Sequence, residues 1–260
     1  MTKAVLIMTD GLRPDAYSPE RTPNLLAFRA RSAWTMAARS VTPSITLPCH
    51  MSIFHSVPPA RHGVLDNNWH PMARPVMGLV EHLKAHEKRS GILFNWDVLR
   101  DIYRVGHLHY NFFVNTGYDL DGDDVIADQA VRVFQEDCCD FVFVYFATVD
   151  VAGHEYGWMS DGYLKHVQLL DGLVGKVVDA IPESATVLIH SDHGGHERTH
   201  GTELEEDMTI PWMIAGPNVR AGKELDGAIS LLDTAPTMAH VLGVLPHTDW
   251  EGRVVQEAFR

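Results

Sequence analysis

Cysteine is scarce in this chain, since only Cys49, Cys138 and Cys139 occur among 260 residues and the last two are adjacent. No disulfide framework and no CxxC metal or redox motif can be built from them. The sequence also contains no apolar run near the roughly 18 residues that a membrane span requires. Its first residues enter a strand-like run without the long apolar region and cleavage site of a signal peptide. These absences favour a cytoplasmic protein with no membrane partner.

Positively charged residues are few as well. Lysine and arginine number 21 against 34 aspartate and glutamate residues, a formal net charge of −13, which argues against a nucleic-acid polymer as partner. Two divalent cations in an acidic pocket would offset part of this excess. Histidine, by contrast, is abundant: the chain has 16, several of them close together in sequence.

Continuous apolar runs of strand length alternate with segments of helical period, which is typical of strands that are covered on both faces. The predicted strands are Lys3–Met8, Thr35–Val41, Gly91–Phe94, Phe141–Phe146, Thr186–His190 and Thr209–Ala215. The predicted helices are Asn24–Ser32, Val76–His86, Asp123–Glu136, Tyr163–Ile181 and Asp233–Leu242. This order predicts an α/β fold, a doubly wound and mostly parallel sheet with helices on both faces.

No linker or internal repeat divides the chain, so we expect one catalytic domain over residues 1–260 without a separate cap domain. The acidic stretch Asp119–Asp124 lacks the glycine and the terminal acid of an EF-hand loop. We interpret it as a turn that caps the helix beginning at Asp123.

Acids, histidines and hydroxyls follow four of the predicted strands, at the edge where open parallel sheets bind ligands. Six residues suit zinc or manganese, three for each of two ions: Asp10, Asp150, His154, Asp192, His193 and one of His196 or His200. Two such ions clamp the attacking and leaving oxygens of a phosphoryl displacement. Pro48 would open a helix and leave the Thr46 hydroxyl at its N-terminus, where a developing anion is favoured.

Several motifs occur in a fixed order along nearly the whole chain. They are TDGLRPD (9–15), TPNL (22–25), PSITLPCH (43–50), HGVLDN (62–67), DVAGHEYG (150–157), SDHGG (191–195), HGT (200–202), DTAPTMAHVLG (233–243) and EGR (251–253). On these motifs the chain resembles the alkaline phosphatase superfamily. Within it, the chain is similar to a short, single-domain form of the type I phosphodiesterase/nucleotide pyrophosphatase branch.

The resemblance implies a role for each matching residue. Thr46 matches the nucleophile that becomes a phosphothreonine, and Asn67 matches an amide that donates to a phosphate oxygen. One metal would be held by Asp10, Asp192, His193 and the Thr46 oxygen, and the other by Asp150, His154 and a third histidine. We favour His200 over His196 for that position because HGT leads into the next strand. Zinc is the expected metal, with manganese as the alternative.

The expected substrates are small phosphodiesters or nucleotide pyrophosphate bonds. No arginine clamp for a dianionic monoester is evident, although Arg13 and Arg61 lie close to the motifs. A phosphomonoesterase or phosphonate hydrolase on the same two metals is therefore the alternative. A sulfatase is disfavoured because the chain lacks the Cys- or Ser-x-Pro-x-Arg segment of that chemistry.

Asn95 and Trp96 end a predicted strand near the same edge. With Tyr156, and with Trp158, they are candidates for contacts to the leaving group, while packing is the competing interpretation. Thr42 and Ser44 rival Thr46 as nucleophile, but the Thr-x-Pro-x-His register favours Thr46. Most other histidines are interpreted as packing or surface residues: His50, His55, His62, His82, His86, His107, His109, His166, His190, His240 and His247.

Overall fold

The strands of the computed structural model, which describes residues 3–260, are β1 (Lys3–Thr9), β2 (Ala33–Arg39), β3 (Ser90–Phe94), β4 (Tyr110–Phe113), β5 (Phe141–Phe146), β6 (Ala185–His190), β7 (Thr209–Ala215) and β8 (Lys223–Glu224). The α-helices are α1 (Pro23–Ala30), α2 (Thr46–His55), α3 (Pro59–His62), α4 (Leu79–Ala85), α5 (Asp123–Glu136), α6 (Thr148–Tyr156), α7 (Asp161–Ala180), α8 (Glu205–Met208) and α9 (Thr234–Val241).

The eight strands form one sheet in the order β4-β3-β5-β1-β6-β7-β2-β8. Neighbouring strands are parallel except where β7 pairs antiparallel with β6 and with β2. The predicted mostly parallel α/β sheet is therefore confirmed. Because β2 is antiparallel to β7, it points the same way as β1, β5 and β6, and all four carboxyl ends meet at one edge.

Both faces of the central strands are buried, which is why these strands appear in the sequence as continuous apolar runs. Alternate residues of β1 enter two different cores: Leu6 packs on one face with α2, α4 and α9. Ile7 packs on the other face with α1, α5 and α7. The prediction of one domain over residues 1–260 stays a prediction.

The structure shifts some predicted boundaries. β2 begins two residues before the predicted strand at Thr35 and ends at Arg39. Sequence patterns missed β4, whose residues alternate between half-buried and exposed at the sheet edge, and also the two-residue β8. The last predicted helix begins with a 3-10 turn over Leu231–Asp233, which Ser230 and Asp233 close with a capping box, so that α9 starts at Thr234.

The turn predicted within Asp119–Asp124 is present and α5 begins at Asp123, but the Asp123 carboxylate caps α6 instead of α5. It accepts hydrogen bonds from Ala147 N at 2.9 Å and from the Thr148 amide and hydroxyl at 3.0 and 2.6 Å. A fourth bond comes from Asn95 Nδ2 at 2.9 Å. This buried side chain thus joins the ends of β3 and β5 to the helix that follows β5.

Within residues 3–260, none of the helices combines the length and apolarity needed to cross a bilayer. All three cysteines have free thiols, in line with the expected lack of a disulfide framework. The cytoplasmic location stays a prediction from the cysteine content.

We expect Asp123→Ala to lower the free energy of unfolding by about 3 kcal/mol, because it removes the acceptor of four buried hydrogen bonds. Urea unfolding followed by circular dichroism measures the change. The matched control is Asp124→Ala, an exposed acid on the same helix, which should change stability by less than about 1 kcal/mol. Equal effects of the two substitutions would contradict the role given to Asp123.

Candidate metal centre

The first cluster of ligating side chains joins the ends of β1 and β6. Asp10 directly follows β1, and Asp192 and His193 follow β6; all three are buried. His193 Nε2 lies 3.3 Å from Asp10 Oδ1 and 3.4 Å from Asp192 Oδ2. Gly11, which follows Asp10, lets Asp150 lie close to this cluster: its φ is +67°, and a Cβ there would meet the Asp150 Cα at 2.9 Å. These three side chains could hold one metal ion.

The second cluster lies on α6 and on the loop after β6. Asp150 and His154 are four residues apart on α6 and therefore share one face of the helix. His154 Nε2 lies 3.5 Å from Asp150 Oδ2, and His200 Nε2 lies 3.6 Å from Asp150 Oδ1. These three side chains could hold a second ion.

All three histidines present the same nitrogen to the carboxylates. The Nδ1 atoms of His193, His154 and His200 lie 2.8 to 2.9 Å from backbone carbonyl oxygens, which only accept hydrogen bonds. The carbonyls belong to Gly194, Arg198 and Ser44, in that order. In the neutral rings each Nε2 is then a lone-pair atom, which is the usual arrangement of metal-binding histidine.

Three carboxylate oxygens in these clusters are buried and have no hydrogen-bond partner within residues 3–260: Asp10 Oδ1, Asp150 Oδ1 and Asp192 Oδ2. Burial raises the pKa of all three groups, that of Asp192 to about 7, and the charge of Asp150 adds to the effect on Asp10 and Asp192. Burial also lowers the pKa of His193 well below its ordinary value, so this ring is neutral. Acceptors that converge without a donor between them fit divalent cations.

The two clusters form one centre. The rings of His193 and His200 stack with centroids 3.8 Å apart and planes inclined by 13°. Each of these histidines belongs to a different cluster. Both come from the segment between β6 and β7, which links the two predicted metal positions.

Thr46 is the first residue of α2, and its Oγ1 lies 3.2 Å from His193 Nε2. The next amide, Leu47 N, donates to Asn67 Oδ1 at 3.0 Å, which brings Asn67 beside the nucleophile candidate. The rival hydroxyls have other partners: Thr42 contacts Met208 Sδ, and Ser44 donates to the Thr202 carbonyl. Of the three hydroxyls, only that of Thr46 lies against the clusters.

A cavity of about 490 Å³ opens above the two clusters. Trp96 and Tyr118 form an aromatic wall of this cavity. The Trp96 indole donates a hydrogen bond to the Tyr118 hydroxyl at 2.8 Å. No lysine or arginine of the described chain lines the cavity; Arg13 instead pairs with Asp15, and Arg61 with Glu251. The lining residues are Asp10, Thr46, Asn67, Trp96, Val98, Gly117, Tyr118, Tyr145, Ala147, Asp150, Val151, His154, Glu155 and His200.

The structure corrects two of the three predicted substrate contacts. Asn95 is fully buried, and its amide supports Asp123 instead of lining the cavity. Tyr156 stacks on His166 at 5.7 Å beside a separate depression. Of these three residues, Trp96 is the one that lines the cavity. Trp158, the further candidate, is buried, and its indole donates a hydrogen bond to the Gly11 carbonyl.

His196 lies outside both clusters. Its Nδ1 is 2.7 Å from Asp207 Oδ1, while Asp207 Oδ2 accepts from the Thr202 amide and hydroxyl. Asp207 is fully buried and ties together the loop that carries His193 and His200. Sequence reasoning missed it, because Asp207 belongs to an acidic run, Glu203–Asp207, that looks like a solvated surface.

Tyr145 was missed as well. It lines the cavity and its hydroxyl donates to Asp10 Oδ2, leaving Oδ1 as the free oxygen. Because Tyr145 lies inside the apolar run of β5, the sequence pattern did not distinguish it from an aromatic residue of the core.

Among the other histidines, His50, His55, His62 and His190 are buried packing residues. His82 and His166, for which the sequence favours a surface position, are buried as well, so that expectation is wrong for these two.

Comparison with protein families gives two matches, which cover separate parts of the chain. The metalloenzyme superfamily matches residues 114–246, just over half of the chain. The family described as type I phosphodiesterase/nucleotide pyrophosphatase matches residues 4–88. Residues 4–88 include Asp10, Thr46 and Asn67, and residues 114–246 include the remaining five predicted ligands.

Among curated proteins, human ectonucleotide pyrophosphatase/phosphodiesterase family member 1 is 24% identical over 196 residues, 66% of this chain and 21% of that protein. A 2,3-bisphosphoglycerate-independent phosphoglycerate mutase of Clostridioides difficile (strain 630) is 31% identical over 124 residues, 45% of this chain and 24% of that enzyme. The alignments thus span less than a quarter of these two relatives.

Among solved structures, murine ectonucleotide pyrophosphatase/phosphodiesterase 5, an inactive variant in complex with AMP, superposes with a TM-score of 0.83. The match covers 100% of both chains at 14% sequence identity. The alkaline phosphatase-like fold expected from the motifs is thereby confirmed.

The raised pKa of Asp192 predicts a pH-dependent stability in the metal-stripped protein. An unfolded aspartate has a pKa of about 3.9, so below that value the buried carboxyl contributes its full stability. This contribution is lost as the pH rises through about 7. Relative to the wild type, Asp192→Asn should therefore gain on the order of 3 kcal/mol in the free energy of unfolding between pH 5 and pH 8.

Urea unfolding of both EDTA-treated proteins at several pH values measures this difference. The buried histidines cancel in it, because both proteins carry them. A difference that stays flat from pH 5 to pH 8 would show that Asp192 is not an uncompensated buried acid. With zinc bound, the wild type should lose the trend.

Proposed function

This chain belongs to the metalloenzyme superfamily, and from that premise we propose that it is a two-metal phosphoester hydrolase. The proposed substrates are phosphodiesters or nucleotide pyrophosphate bonds. The observation that carries the proposal is the pair of clusters in which three buried carboxylate oxygens without partners meet three histidine Nε2 atoms. Divalent cations would stabilise such a set of converging acceptors.

Asp10, Asp192, His193 and the Thr46 oxygen would hold one ion, and Asp150, His154 and His200 would hold the other. Carboxylate and imidazole ligands suit zinc first and manganese second. When bound, the two ions would lower the pKa of the nucleophile and of the attacking water and would offset negative charge on the leaving oxygen.

In the proposed reaction the Thr46 hydroxyl loses its proton and its oxygen attacks phosphorus as the bond to the leaving oxygen breaks and that oxygen takes up a proton. From a diester this yields a threonine phosphodiester that keeps the second ester group, and from a monoester a phosphothreonine. Water then cleaves this intermediate and restores the hydroxyl. Thr46 is suited to the task because it opens α2, whose N-terminal dipole favours negative charge on the phosphoryl group. Since Asn67 Oδ1 accepts from Leu47 N, its amide nitrogen is left to donate to a phosphate oxygen.

The charge of the cavity supports a diester over a monoester. The cavity lining of the described residues has no lysine or arginine, and Glu155 adds an acid beyond the predicted ligands. A diester brings one negative charge to this surface, whereas a monoester brings about two. The wall of Trp96 and Tyr118 suits an aromatic or apolar leaving group, and the murine relative of similar fold was crystallised with a nucleotide, AMP.

A phosphomonoesterase or phosphonate hydrolase on the same two ions is the second candidate. This candidate is favoured by the sequence identity to a phosphoglycerate mutase, because the phosphoglycerate in that enzyme's name is a phosphate monoester.

We expect Thr46→Ala to lower kcat/KM for bis(p-nitrophenyl) phosphate by a factor on the order of 1,000 or more, because the nucleophile is lost. The metal content should stay at two ions per chain, since three protein ligands remain for each. Thr46→Ser, which keeps a hydroxyl, is the matched control and should retain most of the activity. Unchanged turnover in the alanine variant would refute the nucleophile.

The same assay with p-nitrophenyl phosphate, on zinc-loaded and manganese-loaded protein, separates the two candidates. A higher kcat/KM for the diester supports the first candidate. A preference for the monoester would keep the metals and Thr46 but replace the proposed substrate class.

Asn67→Ala should lower kcat for the diester by about a hundredfold, because a donor to the transition state is removed. The neighbouring Asn68→Ala is the control, since Asn68 is exposed and only its backbone amide is hydrogen-bonded, to Asp66. Steady-state kinetics on both variants test the role. A loss confined to KM, or an equal loss in both variants, would argue against it.

A further inference from the structure

A second cavity, of about 390 Å³, lies apart from the metal centre and shares no lining residue with the first. It is bordered by the end of α2, the loop that follows Asn67, α4 and the segment after the 3-10 turn at Asp97–Asp101. The proposed hydrolase reaction uses none of its side chains.

Glu81 of α4 provides the charge in this cavity. Its side chain is buried, and Oε1 accepts a hydrogen bond from Arg104 N at 2.5 Å. Oε2 is buried too and has no hydrogen-bond partner in the described part of the chain. A buried carboxylate oxygen without a donor is costly, which points to a ligand that supplies one.

His55 offers a second acceptor at the same place. Its Nδ1 donates to the Met51 carbonyl at 3.0 Å, and burial lowers the pKa of the ring to about 4, so that it is neutral near pH 7. Nε2 is then a lone-pair atom. Both acceptors pack against Gly78, since a Cβ atom there would lie 2.5 Å from Glu81 Oε2 and 3.0 Å from His55 Nε2, and both residues line the same cavity.

The remaining walls are apolar and aromatic, with Trp69, Met72 and Tyr103 on them. Asp101 and Arg104 are exposed at the rim, and Asp101 pairs with Arg100 at 3.7 Å. The negative charge inside the cavity is therefore that of Glu81.

We propose that this cavity binds a small protonated organic amine. Its ammonium group donates to Glu81 Oε2 and His55 Nε2, and its apolar or aromatic part packs against Trp69, Met72 and Tyr103. An ammonium brings several donors and no acceptor, which complements two acceptors close together. The aromatic rings add attraction for the cation.

The test uses benzylamine, which is protonated at pH 7.5, as the probe and the uncharged benzyl alcohol as its control. Both are titrated into zinc-loaded, ¹⁵N-labelled protein and followed by two-dimensional NMR. We expect benzylamine to shift signals of the Trp69 indole and of the main chain around Glu81 and Tyr103, with millimolar affinity. Benzyl alcohol should bind at least tenfold more weakly.

Glu81→Gln keeps the shape of the side chain and removes its charge, and it should weaken benzylamine binding at least tenfold. Asp101→Asn, an exposed acid at the rim, is the matched control and should change the affinity less than threefold. If Glu81→Gln does not fold, Gly78→Ala serves instead. The φ of −77° at Gly78 accepts alanine, and the added methyl group, which would meet Glu81 Oε2 at 2.5 Å, displaces this carboxylate and should also weaken benzylamine binding at least tenfold.

The proposal is overturned by any of three results. One is the absence of shifts at 20 mM benzylamine. Another is a set of shifts confined to the metal centre, which would mean that the amine binds there. The third is an equal loss of affinity in Glu81→Gln and Asp101→Asn.

Discussion

Repulsion among buried acceptors governs this structure. Asp10, Asp150 and Asp192 each turn an oxygen without a partner toward histidine nitrogens that carry lone pairs. Water would solvate such groups cheaply, but these are buried, and the protein itself supplies no cation to them. The two proposed cations would complete this unfavourable arrangement, and the net negative charge of the chain has the same sign as this deficit.

Much of the polar interior serves to hold the acceptors in place. Asp123 fixes the start of α6 and hence Asp150 and His154, while Asp207 fixes the loop that carries His193 and His200. Tyr145 occupies one oxygen of Asp10 and so decides which oxygen is free. Tyr145 thus acts directly on a predicted ligand, whereas Asp123 and Asp207 act through the main chain that carries the predicted ligands.

The fold and the two side-chain clusters were predictable because both produce local patterns in the sequence. Doubly buried strands appear as continuous apolar runs, and acids or histidines directly after such runs must collect at one edge of the sheet. The supporting residues leave no such mark. Asp207 resembles a surface acid and Tyr145 a core aromatic, since their partners are distant in sequence. Asn95 and Tyr156 were misassigned because nearness to a strand end does not decide which way a side chain points.

The loop after α3 passes between two cavities. Asn67 borders the first and Trp69 the second, with one residue between them. A ligand that ordered Trp69 and thereby restricted the main chain at Asn67 would link the occupancies of the two cavities. Such a linkage would be reciprocal in free energy: the proposed phosphate ester at Asn67 would change the affinity of the second cavity by the same factor by which a ligand there would change the affinity for the ester.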